Sequence, residues 1–99
     1  MSHVRTPDTD AVSHAVTDVL VNRRRGRFEL ALTAEALLLC QDGEVEIIDL
    51  AKIGGVDATV TARRVRVRFR TDDGSAWTLR WFDSVTSRTG LILESLRDR

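Results

Sequence analysis

Apolar and polar residues alternate along the second half of this 99-residue chain. Within residues 64–71 and 75–82, large apolar side chains occur at every second position, namely Val65, Val67, Phe69, Trp77, Leu79 and Trp81. A period of two is typical of a strand with one buried and one solvated face. The residues between the two segments, Asp72-Asp73-Gly74, fit a hairpin turn that ends in a left-handed glycine. The pattern therefore predicts a β-hairpin.

The length of this turn fixes which residues face each other across the hairpin. It places Phe69 opposite Trp77 and Val65 opposite Trp81, so that the apolar side chains share one face. A slip of one residue would expose the whole apolar row to water. The hydrophobic pattern therefore selects this register over its neighbours.

The residues before the hairpin continue the alternation. Residues 56–61 predict a further strand, with a tight turn at residues 62 and 63 that sets Val60 opposite Val65. The same register places Asp57 opposite Arg68. We expect the three strands to share one apolar face, which includes Val60, and one face rich in arginine.

A helix is predicted directly after the hairpin, at residues 84–97. Val85, Ile92 and Leu96 recur at helical spacing and form one apolar stripe. Gly90 interrupts this segment, and we interpret it as a point of close packing against the sheet. Because so short a helix is marginally stable alone, it must be held by burial against the strands.

The first half of the chain predicts four more strands, at residues 15–22, 27–32, 36–41 and 44–50. The Asp42-Gly43 pair is a strong signal for a hairpin turn. Residues 31–40 also contain helix-forming residues. Thr33 within this segment and the Asp42-Gly43 turn directly after it, however, favour strands. The expected organisation is a flexible tail at residues 1–12 and a single domain at residues 13–99, mostly β with one C-terminal α-helix.

Composition and charge narrow the class of protein. The formal net charge is zero, whereas nucleic-acid-binding domains usually carry a marked positive charge, so nucleic acid is disfavoured as a partner. The single cysteine, Cys40, excludes an internal disulfide, and its apolar neighbours indicate a buried, inert thiol. No apolar run approaches the roughly 20 residues of a transmembrane segment, and residues 1–12 lack the apolar core of a signal peptide. We therefore expect a cytoplasmic protein.

Seven antiparallel strands followed by one helix is the element order of pleckstrin-homology (PH)-like domains. The residues that carry the similarity are 26–33, 37–39 and 48–56, followed by the hairpin and the helix. Over residues 16–96 the chain resembles PH and GRAM-type domains. The resemblance implies a seven-stranded, antiparallel, partly open barrel that the helix caps, with a role in binding.

One candidate site is the arginine cluster between the first two predicted strands. It contains Arg23, Arg24, Arg25 and Arg27. In phosphoinositide-binding PH domains, the corresponding loop carries basic residues that bind the phosphates of the lipid head group. The resemblance therefore implies an anion-binding role for this loop, and the alternative is a solvated, charged turn.

A second candidate site is the polar face of the three C-terminal strands. It contains Arg64, Arg66, Arg68 and Arg80. The predicted register places Arg66 directly opposite Arg80, and like charges in that position are destabilising. This face therefore predicts an acidic partner or a bound anion, unless solvent screening alone compensates for the repulsion.

Enzymatic, metal-binding and cofactor-dependent functions have little support in the sequence. The serines have no base at a suitable spacing, and His3 and His14 have no further metal ligands nearby. We therefore expect a non-enzymatic adaptor domain without cofactor or metal, which mediates protein–protein interaction or self-association. The alternative is a module that binds an anionic phospholipid head group through the loop at residues 23–27.

Overall fold

The structure is a computed structural model, which describes residues 12–22, 24–83 and 89–97. The strands are β1 (Val12–Val21), β2 (Phe28–Thr33), β3 (Ala36–Gln41), β4 (Glu44–Asp49), β5 (Ile53–Thr61), β6 (Arg64–Thr71) and β7 (Ala76–Phe82), and the helix is α1 (Thr89–Leu96). A 3₁₀ turn at Leu50–Lys52 joins β4 to β5. The predicted fold class, seven antiparallel strands and a C-terminal helix, is confirmed. Nearly all of the predicted tail and the first part of the predicted helix lie outside the described residues.

The strands form one open antiparallel sheet in the order β4-β3-β2-β1-β7-β6-β5. The first part of β1 pairs with β2, whereas Leu20 and Val21 at its end pair with β7. The pairing of β1 with β2 shifts between Val16 and Val19, and Asp18 within this interval has a φ of 59°. Such a β-bulge bends a strand and increases its twist. The bulge therefore lies where β1 passes from one half of the sheet to the other.

The predicted register of the C-terminal strands is confirmed. Phe69 pairs with Trp77, Val65 with Trp81 and Arg66 with Arg80. On the other side of β6, the pairs include Val60 with Val65 and Asp57 with Arg68. The arginines of β6 and β7 therefore share one face of the sheet, opposite the buried tryptophans.

One apolar core joins both halves of the sheet to the helix. Its fully buried side chains include Leu30, Leu37, Leu79, Ile92 and Leu96. The Trp81 indole N–H donates a hydrogen bond of 2.9 Å to the Thr89 hydroxyl, and this bond is buried. The helix therefore covers the core, packs against β1 and is tied to β7 by a buried hydrogen bond.

Three expectations about local structure were wrong. The fifth strand begins earlier than predicted, because Gly54 and Gly55 lie inside β5 at a shift in its pairing with β6. Val60 is 50% exposed, since β5 is an edge strand whose end extends beyond the core. Gly90 is exposed, and a Cβ at this position would contact nothing within 4 Å, so it is not a point of close packing.

Candidate functional site

A row of side chains crosses the outward face of the C-terminal half of the sheet. Leu20 of β1 pairs with Arg80 of β7, which pairs with Arg66 of β6, which pairs with Thr59 of β5. Because side chains alternate between faces along a strand, the neighbours of these residues lie on the opposite face, and those in β1, β6 and β7 are buried in the core. The four side chains thus form one continuous outward row.

A second row lies two residues further along the same strands. Phe82 of β7 pairs with Arg64 of β6, which pairs with Thr61 of β5. Phe82 is 59% exposed, although it follows directly after the buried Trp81. The second row therefore adds an exposed aromatic ring to the arginine-rich face.

The two rows line an open groove of about 600 Å³. It is lined by Asp18, Leu20, Arg27, Thr59, Thr61, Arg64, Arg66, Arg80 and Phe82, together with the buried residues Val65 and Trp81. We call this cavity the outer groove. Its two large apolar side chains, Leu20 and Phe82, are both exposed, so the groove combines an apolar surface with charged walls.

The outer groove carries a strong excess of positive charge. Arg27, Arg64, Arg66 and Arg80 contribute four guanidinium groups, whereas Asp18 contributes a single carboxylate. Between described residues, no ion pair involves any of these five side chains. No ion pair within the described segments therefore relieves the repulsion between the facing arginines, and an anionic ligand would relieve it.

Arg68 belongs to the predicted arginine face but not to the outer groove. Its guanidinium lies 3.6 Å from the carboxylate of Asp57, the residue opposite it in β5. Both side chains are more than half exposed, so this ion pair contributes little to stability. The structure thus brings Arg64, Arg66 and Arg80 together and places Arg68 beside them, already paired.

The arginines of the predicted anion-binding loop do not all line the same site. Arg23 lies outside the described residues. The guanidinium of Arg24 lies 5.0 Å from the centre of the Trp77 ring and forms an ion pair with Glu46 of β4. A cation over an aromatic face is stabilised by the ring electrons. Arg24 is therefore already engaged with Trp77 and Glu46, although it also borders two open cavities.

The rest of the loop is held by a side chain of β3. The Gln41 amide donates hydrogen bonds to the carbonyl oxygens of Arg25, at 2.8 Å, and Arg27, at 3.4 Å. Arg24 and Arg25 border a second cavity beside Glu44, whereas Arg27 borders the outer groove. The described arginines of the loop thus face different surroundings, and anion binding by the cluster stays a prediction.

Sequence reasoning missed three residues of the outer groove, Asp18, Leu20 and Phe82. A signal for Phe82 was present, because strict alternation with Trp81 places it on the outward face. Leu20 lies between two valines, and no polar neighbour in this run marks its outward position. Asp18 enters the groove through the bulge in β1, which the sequence pattern does not reveal.

Cys40 is half-buried, rather than buried as expected. Burial raises the pKa of its thiol above the ordinary value, and the carboxylate of Glu29, its cross-strand partner in β2, raises the pKa further. The thiol is therefore kept protonated and poorly nucleophilic. Within the described segments, no group of three or more histidine, cysteine, aspartate or glutamate side chains could hold a metal ion.

No model of a known protein family matches this chain, and a search of curated proteins finds no relative. In the described part of the chain, no helix has the length and apolar character needed to cross a membrane.

Proposed function

We propose that this chain is a non-enzymatic binding module that holds an extended, acidic segment of a partner protein in its outer groove. The observation that carries the proposal is the combination, in one groove, of four guanidinium groups without carboxylate partners among the described residues and two exposed apolar side chains. Guanidinium groups bind carboxylates through paired hydrogen bonds, and exposed apolar patches mark interaction sites.

The spacing of the arginines supports an extended peptide as the ligand. Arg64 and Arg66 lie two residues apart on one strand face, which places their backbone positions roughly 6.5–7 Å apart. An extended peptide with acidic residues at alternate positions has the same repeat. Thr59 and Thr61 of the edge strand border the same groove, so a segment lying along it also reaches the free edge of the sheet.

We propose further that the chain is a cytoplasmic adaptor domain of the PH-like superfamily. The support is the strand order, the bent open sheet and the C-terminal helix that covers the core. The engagement of Arg24 with Trp77 and Glu46 favours the outer groove over the loop at residues 23–27 as the binding surface.

Peptide binding tests the proposal directly. A fluorescein-labelled peptide with alternating glutamate and leucine is titrated with the protein, and its anisotropy is measured at low and high salt. We expect salt-sensitive binding, which the double variant Arg66→Gln/Arg80→Gln weakens roughly tenfold, because each exposed charge contact contributes a modest free energy. Arg70→Gln is the matched control, since Arg70 is exposed on the same strand but does not line the groove.

The same proteins are then mixed with vesicles that contain a phosphoinositide. Binding to these vesicles but not to the peptide, with loss of binding in Arg25→Gln, which leaves the lining of the outer groove unchanged, would replace the proposal with head-group recognition by the loop. Equal peptide binding by the wild type and Arg66→Gln/Arg80→Gln would reject the outer groove as the site.

A further inference from the structure

The opposite edge of the sheet presents a second exposed apolar surface. β4 is an edge strand, and its Val45 and Ile47 are 48% and 59% exposed. Ile47 pairs with Leu38, which is buried but lies outside the core cluster that contains its neighbours in the strand. Val45 and Ile47 therefore belong to the outward face of the N-terminal half of the sheet.

This outward face combines apolar side chains with acidic ones. Its residues in β2, β3 and β4 include Glu29, Leu38, Cys40, Val45, Ile47 and Asp49, which we call the β4 face. Glu29 lies in one row with Cys40 and Val45, and Asp49 lies two residues beyond Ile47 on the same strand. None of the outward residues described in these three strands is basic. The β4 face thus has apolar side chains flanked by the carboxylate of Glu29 and by that of Asp49, one oxygen of which accepts from the Ala51 N–H.

We infer that the outer groove accepts the β4 face of a second copy of this chain. The inference rests on the proposed function and names its partner. The groove offers Leu20 and Phe82 among arginines, whereas the β4 face offers Val45 and Ile47 among carboxylates. The two surfaces are therefore complementary in both charge and apolar character.

The signs of the charges determine the symmetry of the contact. Two grooves brought face to face would oppose eight guanidinium groups, and two β4 faces would oppose carboxylates with carboxylates. Each symmetric arrangement is repulsive, whereas groove against β4 face is attractive. Such a head-to-tail contact leaves one groove and one β4 face free at the two ends, so it extends into longer oligomers unless it closes into a ring.

Mixing two defective variants tests this inference. Arg66→Glu/Arg80→Glu disables the groove and keeps the β4 face, whereas Ile47→Glu disables the β4 face and keeps the groove. In sedimentation velocity, we expect the wild type to grow in mass with concentration and each variant alone to be monomeric. An equimolar mixture of the two should form a heterodimer and nothing larger, because only one functional pair of surfaces remains.

The control variants are Val60→Glu and Arg70→Glu. Val60 is half exposed and Arg70 is exposed, but neither lies in the groove or on the β4 face, so both variants should assemble like the wild type. Circular dichroism and thermal unfolding of every variant identify loss of folding.

Phe82→Ser provides a second groove variant without charge reversal. This variant should weaken self-association at least tenfold.

Two results would overturn the inference. One is a wild type that stays monomeric at millimolar concentration, and the other is a mixture of the two folded variants that forms no heterodimer. The peptide assay separates this failure from failure of the proposed function. If the wild type is monomeric but still binds the acidic peptide, the second copy is rejected as the occupant of the groove and the proposed function is kept. If the wild type is monomeric and does not bind the peptide, both the self-association and the proposed function are rejected.

Discussion

At the scale of single residues, polar side chains set the shape of the chain around the outer groove. Asn22 has a left-handed backbone, with a φ of 43°, and its side chain donates to the carbonyl of Ala76 and accepts from the N–H of Thr78. It therefore continues the pairing of β1 with β7 beyond the end of β1. Gln41 acts similarly on the loop between β1 and β2, because its amide donates to two loop carbonyls.

The contact between Gly26 and Gln41 gives a stability prediction with an internal control. Gly26 and Gly43 have similar φ values of 80° and 83°, but a Cβ would lie 2.6 Å from the Gln41 amide nitrogen only at Gly26. Both substitutions by alanine should cost roughly 1–2 kcal/mol for the left-handed backbone. Gly26→Ala should cost about 1 kcal/mol more, because Gln41 must move and lose its hydrogen bonds.

Urea denaturation measures both costs in the wild type and in Gln41→Ala. In the Gln41→Ala background the two glycine substitutions should become equally costly. A difference that persists there would show that the Gln41 contact is not its cause.

The raised pKa of Cys40 predicts slow alkylation. The rate of reaction with iodoacetamide should rise with pH and reach half its maximum above the ordinary thiol value of 9.0. Glu29→Gln removes a negative charge, so it should lower the pKa of Cys40 and speed alkylation at pH values below that midpoint. Glu35→Gln is the control. Equal rates for all three proteins would contradict the contribution of Glu29.

At the scale of elements, the contact between α1 and β7 combines burial with one polar anchor. Ile92 and Leu96 are almost completely buried, and Thr89 accepts the buried hydrogen bond from Trp81. Loss of this bond would leave a donor without a partner in an apolar environment, which costs more than the bond itself contributes. The helix and the last strand should therefore lose stability together.

Thr89→Val keeps the shape of the side chain and removes the acceptor for Trp81. We expect it to lower the free energy of unfolding by roughly 1–3 kcal/mol, whereas Thr89→Ser, which keeps the hydroxyl, should lower it less. Chemical denaturation monitored by tryptophan fluorescence measures both values. A valine variant as stable as the serine variant would show that the hydrogen bond is dispensable.

Gly90 offers a stabilising substitution in the same helix. Because a Cβ at this position meets nothing within 4 Å, Gly90→Ala should raise the free energy of unfolding by roughly 0.5–1 kcal/mol through helix propensity. A shift of the midpoint in thermal unfolding measures the gain. A lower midpoint would show that the glycine fits a contact beyond the described residues.

The elements could be predicted from the sequence because their signals are local. The alternation in β6 and β7 and the single glycine of their turn, Gly74, determine both strands and their register. The outer groove depends on contacts distant in the chain, since the pairing of Leu20 with Arg80 joins the end of β1 to β7. The bulge at Asp18 also changes which side chains of β1 face outward, and no periodic pattern records that change.

At the scale of the whole molecule, the net charge is zero, but the sheet has two faces of opposite charge. The outward side of the C-terminal half of the sheet carries the groove arginines, whereas that of the N-terminal half carries Glu29 and Asp49. Because the sheet is continuous and bent at β1, the two faces are fixed in orientation within one chain. Such a charge distribution steers acidic partners toward the groove and weakens with increasing salt.

The most direct test of the proposed binding surface is a titration of the ¹⁵N-labelled protein with the glutamate–leucine peptide, followed by ¹H–¹⁵N correlation spectra. We expect the largest shift changes at Leu20, Arg66, Arg80 and Phe82, and we expect them to shrink with added salt. Changes confined to residues 24–26, which lie outside the groove, or spectra that the peptide leaves unaltered, would contradict this prediction.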